Sequence, residues 1–156
     1  METKEPFDLE TFLPYRLAQS AEAISLEFYQ LYRSAYGMTR PEWRVMAHLA
    51  QYGEMTARDI CDHAGLHKTK VSRAVRKLSD RGWLRRKEIA HDRRFEVLAL
   101  TKPGLRIHDA IANEGAGYNH RLCERLGARN AAQLLSLLEQ LEASDVKPAL
   151  RRAPKR

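Results

Sequence analysis

Four residues in one short segment have the types and spacing to read a nucleic acid. Projected at about 100° per residue, Thr69, Ser72, Arg73 and Arg76 share one side of a helix. Guanidiniums pair bidentately with guanine edges, and hydroxyls reach bases or phosphates. Lys68, Lys70 and Lys77 flank that side as point charges suited to phosphate. On roughly the opposite side Val71, Ala74, Val75 and Leu78 recur at i, i+3, i+4 and i+7, a stripe that needs a core. Chemistry of other kinds finds no support. The chain has no G-x-S-x-G, H-E-x-x-H, P-loop or G-x-G-x-x-G, so no enzyme, cofactor or metal site is expected. His63 and His67 are four apart, but Gly65 between them places a turn there, and the spacing loses its meaning for metal.

The elements around this segment must hold its two faces apart. Gly82 follows Arg81 where a C-cap glycine ends a helix. The pattern then predicts strands over residues 83–89 and 95–100, with Ala90-His91-Asp92-Arg93-Arg94 as a charged tip. A helix followed at once by a basic-tipped hairpin is a winged helix-turn-helix, with the helix in the DNA major groove and the tip along the backbone. From His67 to Arg94 there are eleven Lys and Arg against three acidic residues, a local excess larger than the +7 of the whole chain. Basicity so localised is the electrostatic footprint of a phosphate-binding face.

Upstream, Thr39-Arg40-Pro41-Glu42 is a capping box with proline in the first turn, opening a helix to about Gln51. Trp43, Met46, Ala47 and Ala50 are its expected apolar members. Thr56-Ala57-Arg58-Asp59 is a second box, opening a short helix to about His63 with Ile60 and Ala64 inward. Ala64-Gly65-Leu66 is then the turn, and His67 the N-cap of the recognition helix. A long helix is expected from about Asp8 to Ala35, on the stripe Leu13, Leu17, Ala21, Ile24, Phe28 and Leu31. After the hairpin, Thr101 caps another long helix to about Leu126, and a last helix runs from about Asn130 to Ala143. Its stripe of Leu134, Leu135, Leu138 and Leu141 is more than a monomer can cover.

The expected fold is thus mainly α with a small β-hairpin wing. Residues 39–101 form the winged helix-turn-helix domain, residues 1–38 and 102–145 a helical dimerisation region, and 146–156 a disordered basic tail. No stretch approaches the roughly 18 apolar residues of a membrane span. The acidic METKEPFDLE start has no apolar signal core, so the cytoplasm is the expected compartment. Cys61 and Cys123 form no C-x-x-C pair and are expected to be reduced and packed.

The run from Asp92 to Gly104 resembles the D-x-R-x-x-x-L-x-L-T-x-x-G wing signature of the MarR family, the multiple antibiotic resistance regulators. Asp92, Arg94, Leu98, Leu100, Thr101 and Gly104 all match, and the order of helices agrees over nearly the whole chain. The resemblance implies a homodimeric transcriptional regulator, expected to be a repressor. It would bind double-stranded DNA at a pseudo-palindromic operator whose half-sites lie about one helical turn apart. By the same resemblance Arg94 enters the minor groove, Asp92 orients it and Arg93 adds charge. Many relatives bind small anionic aromatics or their coenzyme A thioesters between the dimer helices and the winged domain. Here Tyr15, Arg16, Tyr32, Trp43, Arg44 and His108, with Tyr29 and Arg33 nearby in sequence, can supply the aromatic walls and the cation that such a pocket needs. Peroxide-sensing members carry a cysteine near the start of the first helix, and this chain has none there. Zinc-sensing members use several histidines around the fifth helix, where this chain has only His108 and His120 at unsuitable spacing.

Two other functions use the same architecture. An effector-blind or architectural DNA-binding protein would bind DNA that no metabolite weakens. A winged-helix protein-interaction module would shed the basic face, and an RNA binder would keep single-strand affinity without a palindromic footprint.

Overall fold

The computed structural model describes residues 7–89 and 92–143, with the backbone alone at 89 and 92–95. The expected basic tail therefore lies outside the described residues, as do Ala90 and His91 of the hairpin tip. The chain divides into two compact units, Met1–Gly37 and Met38–Arg156.

The first unit contains helix α1, Leu13–Tyr36. It begins at the first member of the apolar stripe, five residues later than the expected start at Asp8. Pro14 lacks a backbone N–H and is tolerated only in a helix's first turn, so the helix cannot extend back to Asp8. Residues 9–11 form a turn instead, and the Asp8 carboxylate accepts from Glu10 N–H. Gly37, at φ 59°, closes the helix and donates to Arg33 O.

Among the described residues the second unit holds five helices and a small antiparallel sheet. Helix α2 (Arg40–Tyr52) leads to strand β1 (Met55–Thr56), helix α3 (Ala57–Ala64) and helix α4 (Lys68–Asp80). Strands β2 (Leu84–Ile89) and β3 (Asp92–Leu100) follow, then helices α5 (Lys102–Leu126) and α6 (Ala128–Ala143). Both capping boxes form as the sequence indicates. Thr39 Oγ1 accepts from Glu42 N–H and Glu42 Oε2 accepts from Thr39 N–H; Thr56 and Asp59 repeat the exchange. The buried face of α2 is rotated from expectation. Val45, Met46 and Leu49 are its core members, while Trp43, Ala47 and Ala50 are half-buried.

The strand order is β1-β3-β2. Strand β1 is too short to show a period-2 pattern; it exists because Met55 pairs with Leu98 and Thr56 with Val97. The hairpin is longer than the spacing suggests. Strand β3 begins at Asp92, not Phe95, so Arg93 and Arg94 lie within the strand and only residues 90 and 91 separate β2 from β3. The ladder runs from Leu84↔Leu100 to Glu88↔Glu96, then shifts register before Ile89↔Asp92.

Helix α4 packs against α2, α3 and β2. Its predicted stripe, Val71, Ala74, Val75 and Leu78, is wholly buried with Val45, Met46, Ile60, Leu84 and Leu98. A junction fixes the far end of the hairpin. Trp83 N–H donates to Leu78 O, Thr101 N–H donates to Trp83 O, and the Thr101 hydroxyl donates to Gly82 O at 2.7 Å. That hydroxyl also accepts from Gly104 N–H as the cap of α5. A Cβ at position 104 would meet the Trp83 carbonyl, at 2.9 Å from its carbon, so only glycine lets α5 pass this close. Helix α5 continues unbroken through Gly115 and Gly117.

Candidate nucleic-acid interface

Helix α4 begins at His67, whose Nδ1 accepts from Thr69 N–H at 3.5 Å. With its stripe locked in the core, the opposite side is necessarily solvent-facing. Lys68, Thr69, Lys70, Ser72, Arg73, Arg76 and Lys77 are all exposed. Among the described residues, Lys70, Arg73 and Arg76 have no ion-pair partner. A cationic row with no internal counterion is available to an external anion.

Other cations of the basic segment are already engaged. Lys77 Nζ lies 3.7 Å from Glu42 Oε1. On the hairpin, Arg86 pairs with Glu96 at 3.0 Å, while Arg85 and Lys87 share Glu54 at 3.7 and 4.0 Å. The Arg81 guanidinium lies 4.8 Å from the centre of the Trp83 ring. Among the described residues of this segment, counting charge along the sequence therefore overstates the free field, which concentrates on α4. Sequence reasoning missed Glu42, Glu54 and Glu96 as the anions that do this. Glu42 was visible only as a cap, and Glu54 carries no local signal at all. Asp92, Arg93 and Arg94 are placed on β3 by the backbone, and their side chains lie outside the described residues.

Two depressions adjoin α4. One, of about 610 Å³, lies between the start of α2 and α4 and is lined by Thr39, Glu42, Lys70, Arg73, Arg76 and Lys77. The other, of about 400 Å³, is bounded by α3, α4 and the hairpin, with Arg58, Cys61, Lys68, Ser72, Arg86 and Glu96 on its walls. Burial pushes the Cys61 thiol up, and neighbouring Asp62 adds to the effect, so Cys61 is a poor nucleophile.

The residues proposed from sequence for a small ligand fall into two groups. On α1, Tyr15 is half-buried and Tyr32 is buried edge-on to Phe28 and Tyr29. Arg16 pairs with Glu10 at 3.1 Å, both exposed, and Arg33 lies over the Tyr29 ring. In the second unit Trp43 and His108 stack with ring centres 5.6 Å apart and planes within 12°. Arg44 is exposed and donates to Ala64 O at 3.5 Å, closing the end of α3. Among the described residues no cluster of three or more His, Cys, Asp or Glu is placed to hold a metal, and no helix is long and apolar enough to cross a membrane.

Comparison with known proteins agrees with this architecture. The MarR family model matches residues 36–94. The HTH-type transcriptional regulator FarR of Neisseria gonorrhoeae is 26% identical over 125 residues, 80% of this chain and 85% of its own length. YwoH of Bacillus subtilis, an uncharacterized HTH-type transcriptional regulator, is 26% identical over 76 residues, 49% of this chain and about half (55%) of its own length. Among solved structures, transcriptional regulator PA4135 superposes with a TM-score of 0.78 at 28% identity, covering 86% of this chain and 98% of that one. NadR, solved in complex with 4-hydroxyphenylacetate, shares the fold at 23% identity and a TM-score of 0.73, over 93% of this chain and 100% of its own. A two-faced α4, a hairpin tied to α5 through Thr101 and Gly104, and these relatives point the same way: over residues 36–94 the chain is similar to the MarR family, and its fold is that of winged-helix transcriptional regulators.

Proposed function

We propose that this chain is a MarR-family regulator, a homodimeric repressor that binds a pseudo-palindromic operator and is released by a small anionic aromatic ligand. The observation that carries DNA reading is the exposed face of α4. Arg73 and Arg76 read base edges, Thr69 and Ser72 support them, and Lys68 and Lys70 hold phosphates. Arg94 enters the minor groove from β3, Asp92 orients it and Arg93 adds charge. The dimer is supported by partly exposed apolar side chains: Leu13, Leu26 and Leu31 on α1, and Leu134, Leu135 and Leu137 on α6. Apolar exposure on this scale marks an interaction face. By this reading residues 1–38 and 102–145 form the dimer, and 39–101 read DNA.

The ligand class rests on the aromatic groups, chiefly the Trp43–His108 stack and Tyr15 and Tyr32, and on the cations Arg16 and Arg44. The NadR complex with 4-hydroxyphenylacetate supports an aromatic carboxylate, and its coenzyme A thioester is the larger form of the same chemistry. One observation favours an effector-blind protein instead. Arg16 and Arg44, the two candidate ligand cations, each have an intrachain partner.

The test is binding to operator DNA recovered with the purified protein. Arg73→Ala should cost about 1–3 kcal/mol and relax specificity at one base position per half-site. Arg94→Ala should weaken binding to most sequences and lower the salt slope by about 1 per subunit. Wild-type behaviour in both variants refutes the assignment of α4 and the hairpin.

A further inference from the structure

Glu42 is the only charged residue buried among the described residues. Its Oε2 accepts from Thr39 N–H, completing the cap of α2. That duty needs an acceptor and not a charge, since glutamine serves equally well at this position of a capping box. The charge has another address. Glu42 Oε1 lies 3.7 Å from Lys77 Nζ, on the DNA-facing helix, with the lysine side chain still 62% exposed. A buried carboxylate is expensive without a cation, so Lys77 cannot leave without stranding it. The pair sits in the depression that also receives Lys70, Arg73 and Arg76. A DNA phosphate entering there competes with Glu42 for Lys77, whereas Arg73 and Arg76 answer to no internal anion.

We propose that Glu42 is an internal counter-anion of the reading helix: it withholds Lys77 from phosphate and so sets the strength of DNA binding without touching base choice. The inference rests on the reading of α4 given above. It makes Glu42 a positioning residue that acts through Lys77, and it removes Lys77 from the set of phosphate contacts that sequence alone assigns to it.

The experiment measures binding of the full chain to a mixed-sequence DNA duplex of about 24 base pairs as a function of salt, since the slope counts phosphates neutralised. Glu42→Gln keeps the cap and should steepen the slope by about 0.9 per subunit, with tighter binding at low salt. Lys77→Gln, which retains a donor for Glu42, should leave the slope unchanged, and the double variant should return to the wild-type value. On mixed-sequence DNA, which offers no cognate base, Arg76 meets phosphate instead, so Arg76→Ala should flatten it by about 0.9 per subunit. A flattening in Lys77→Gln equal to that in Arg76→Ala overturns the proposal, as does an unchanged slope in a folded Glu42→Gln. If Glu42→Gln does not fold, the comparison of Lys77→Gln with Arg76→Ala decides alone. Arg76→Ala without effect refutes the underlying reading of α4, and this inference with it.

Discussion

Replacing Gly104 by alanine should loosen the whole winged domain. The new Cβ would lie inside the Trp83 carbonyl, 2.9 Å from its carbon and 3.2 Å from its Cα, where non-bonded carbons need about 3.5 Å or more. The obstacle is backbone on both sides, so no rotamer change relieves it. Either α5 or the α4–β2 turn must shift, and the bonds Thr101 N–H to Trp83 O and Thr101 hydroxyl to Gly82 O are the ones that stretch. Those two are worth about 1 kcal/mol each. Overpacking adds roughly 1–3 kcal/mol, and the better helix propensity of alanine returns about 1 kcal/mol. The net is a loss of about 2–4 kcal/mol, or a fall in Tm of roughly 5–15 °C for a chain of this size. Gly117→Ala is the internal comparison. It lies in the same helix, and its Cβ would meet only the Arg121 guanidinium at 3.6 Å, a flexible end. There the helix propensity dominates, and stability should rise by up to about 1 kcal/mol. Thermal melts followed by circular dichroism give both signs. A Gly104→Ala protein that melts at or above wild type would show that the junction is slack and that the close approach carries no energy.

For assembly, replacing both Leu138 and Leu141 by Asp should yield a monomer or an unfolded chain in sedimentation, because unpaired charge in an apolar contact is strongly unfavourable; a folded dimer would remove α6 from the interface. For the switch, an aromatic carboxylate or its coenzyme A ester should raise Tm by mass action and weaken operator binding. Arg16→Ala should lose that response while keeping DNA affinity; if no such compound shifts either readout, the effector-blind reading takes its place, and a normal response in Arg16→Ala means another cation holds the ligand.

Much of the architecture was legible in the order of residues, and each success has a local cause. The capping boxes at Thr39 and Thr56 specify hydrogen bonds within four residues, so their helices start where the letters say. The stripe of α4 is a property of helical period, and a helix with four apolar residues on one side must bury that side and expose the other. The misses concern what lies far away in the chain. Strand β1 exists only because Leu98 and Val97 come alongside Met55 and Thr56. The start of α1 differs for a local reason: Pro14 lacks an N–H and must sit in the first turn, so the helix opens at Leu13, where its apolar stripe also begins.

The candidate interface divides along the same line. Residue types and spacing alone determined which side of α4 faces outward, because rotation about a helix axis is fixed once one side is committed to the core. Only the tertiary structure decided which of its cations remain available. Coulomb energy depends on distance in space, and Glu42 is thirty-five positions from Lys77 in the chain yet 3.7 Å from it in the fold. The same holds for Glu54, which draws in Arg85 and Lys87 from a loop some thirty residues earlier. Thr101 and Gly104 could be recognised as a pattern in sequence. Their reason, a helix passing a carbonyl with no room for a methyl group, exists only where α5 meets the end of α4.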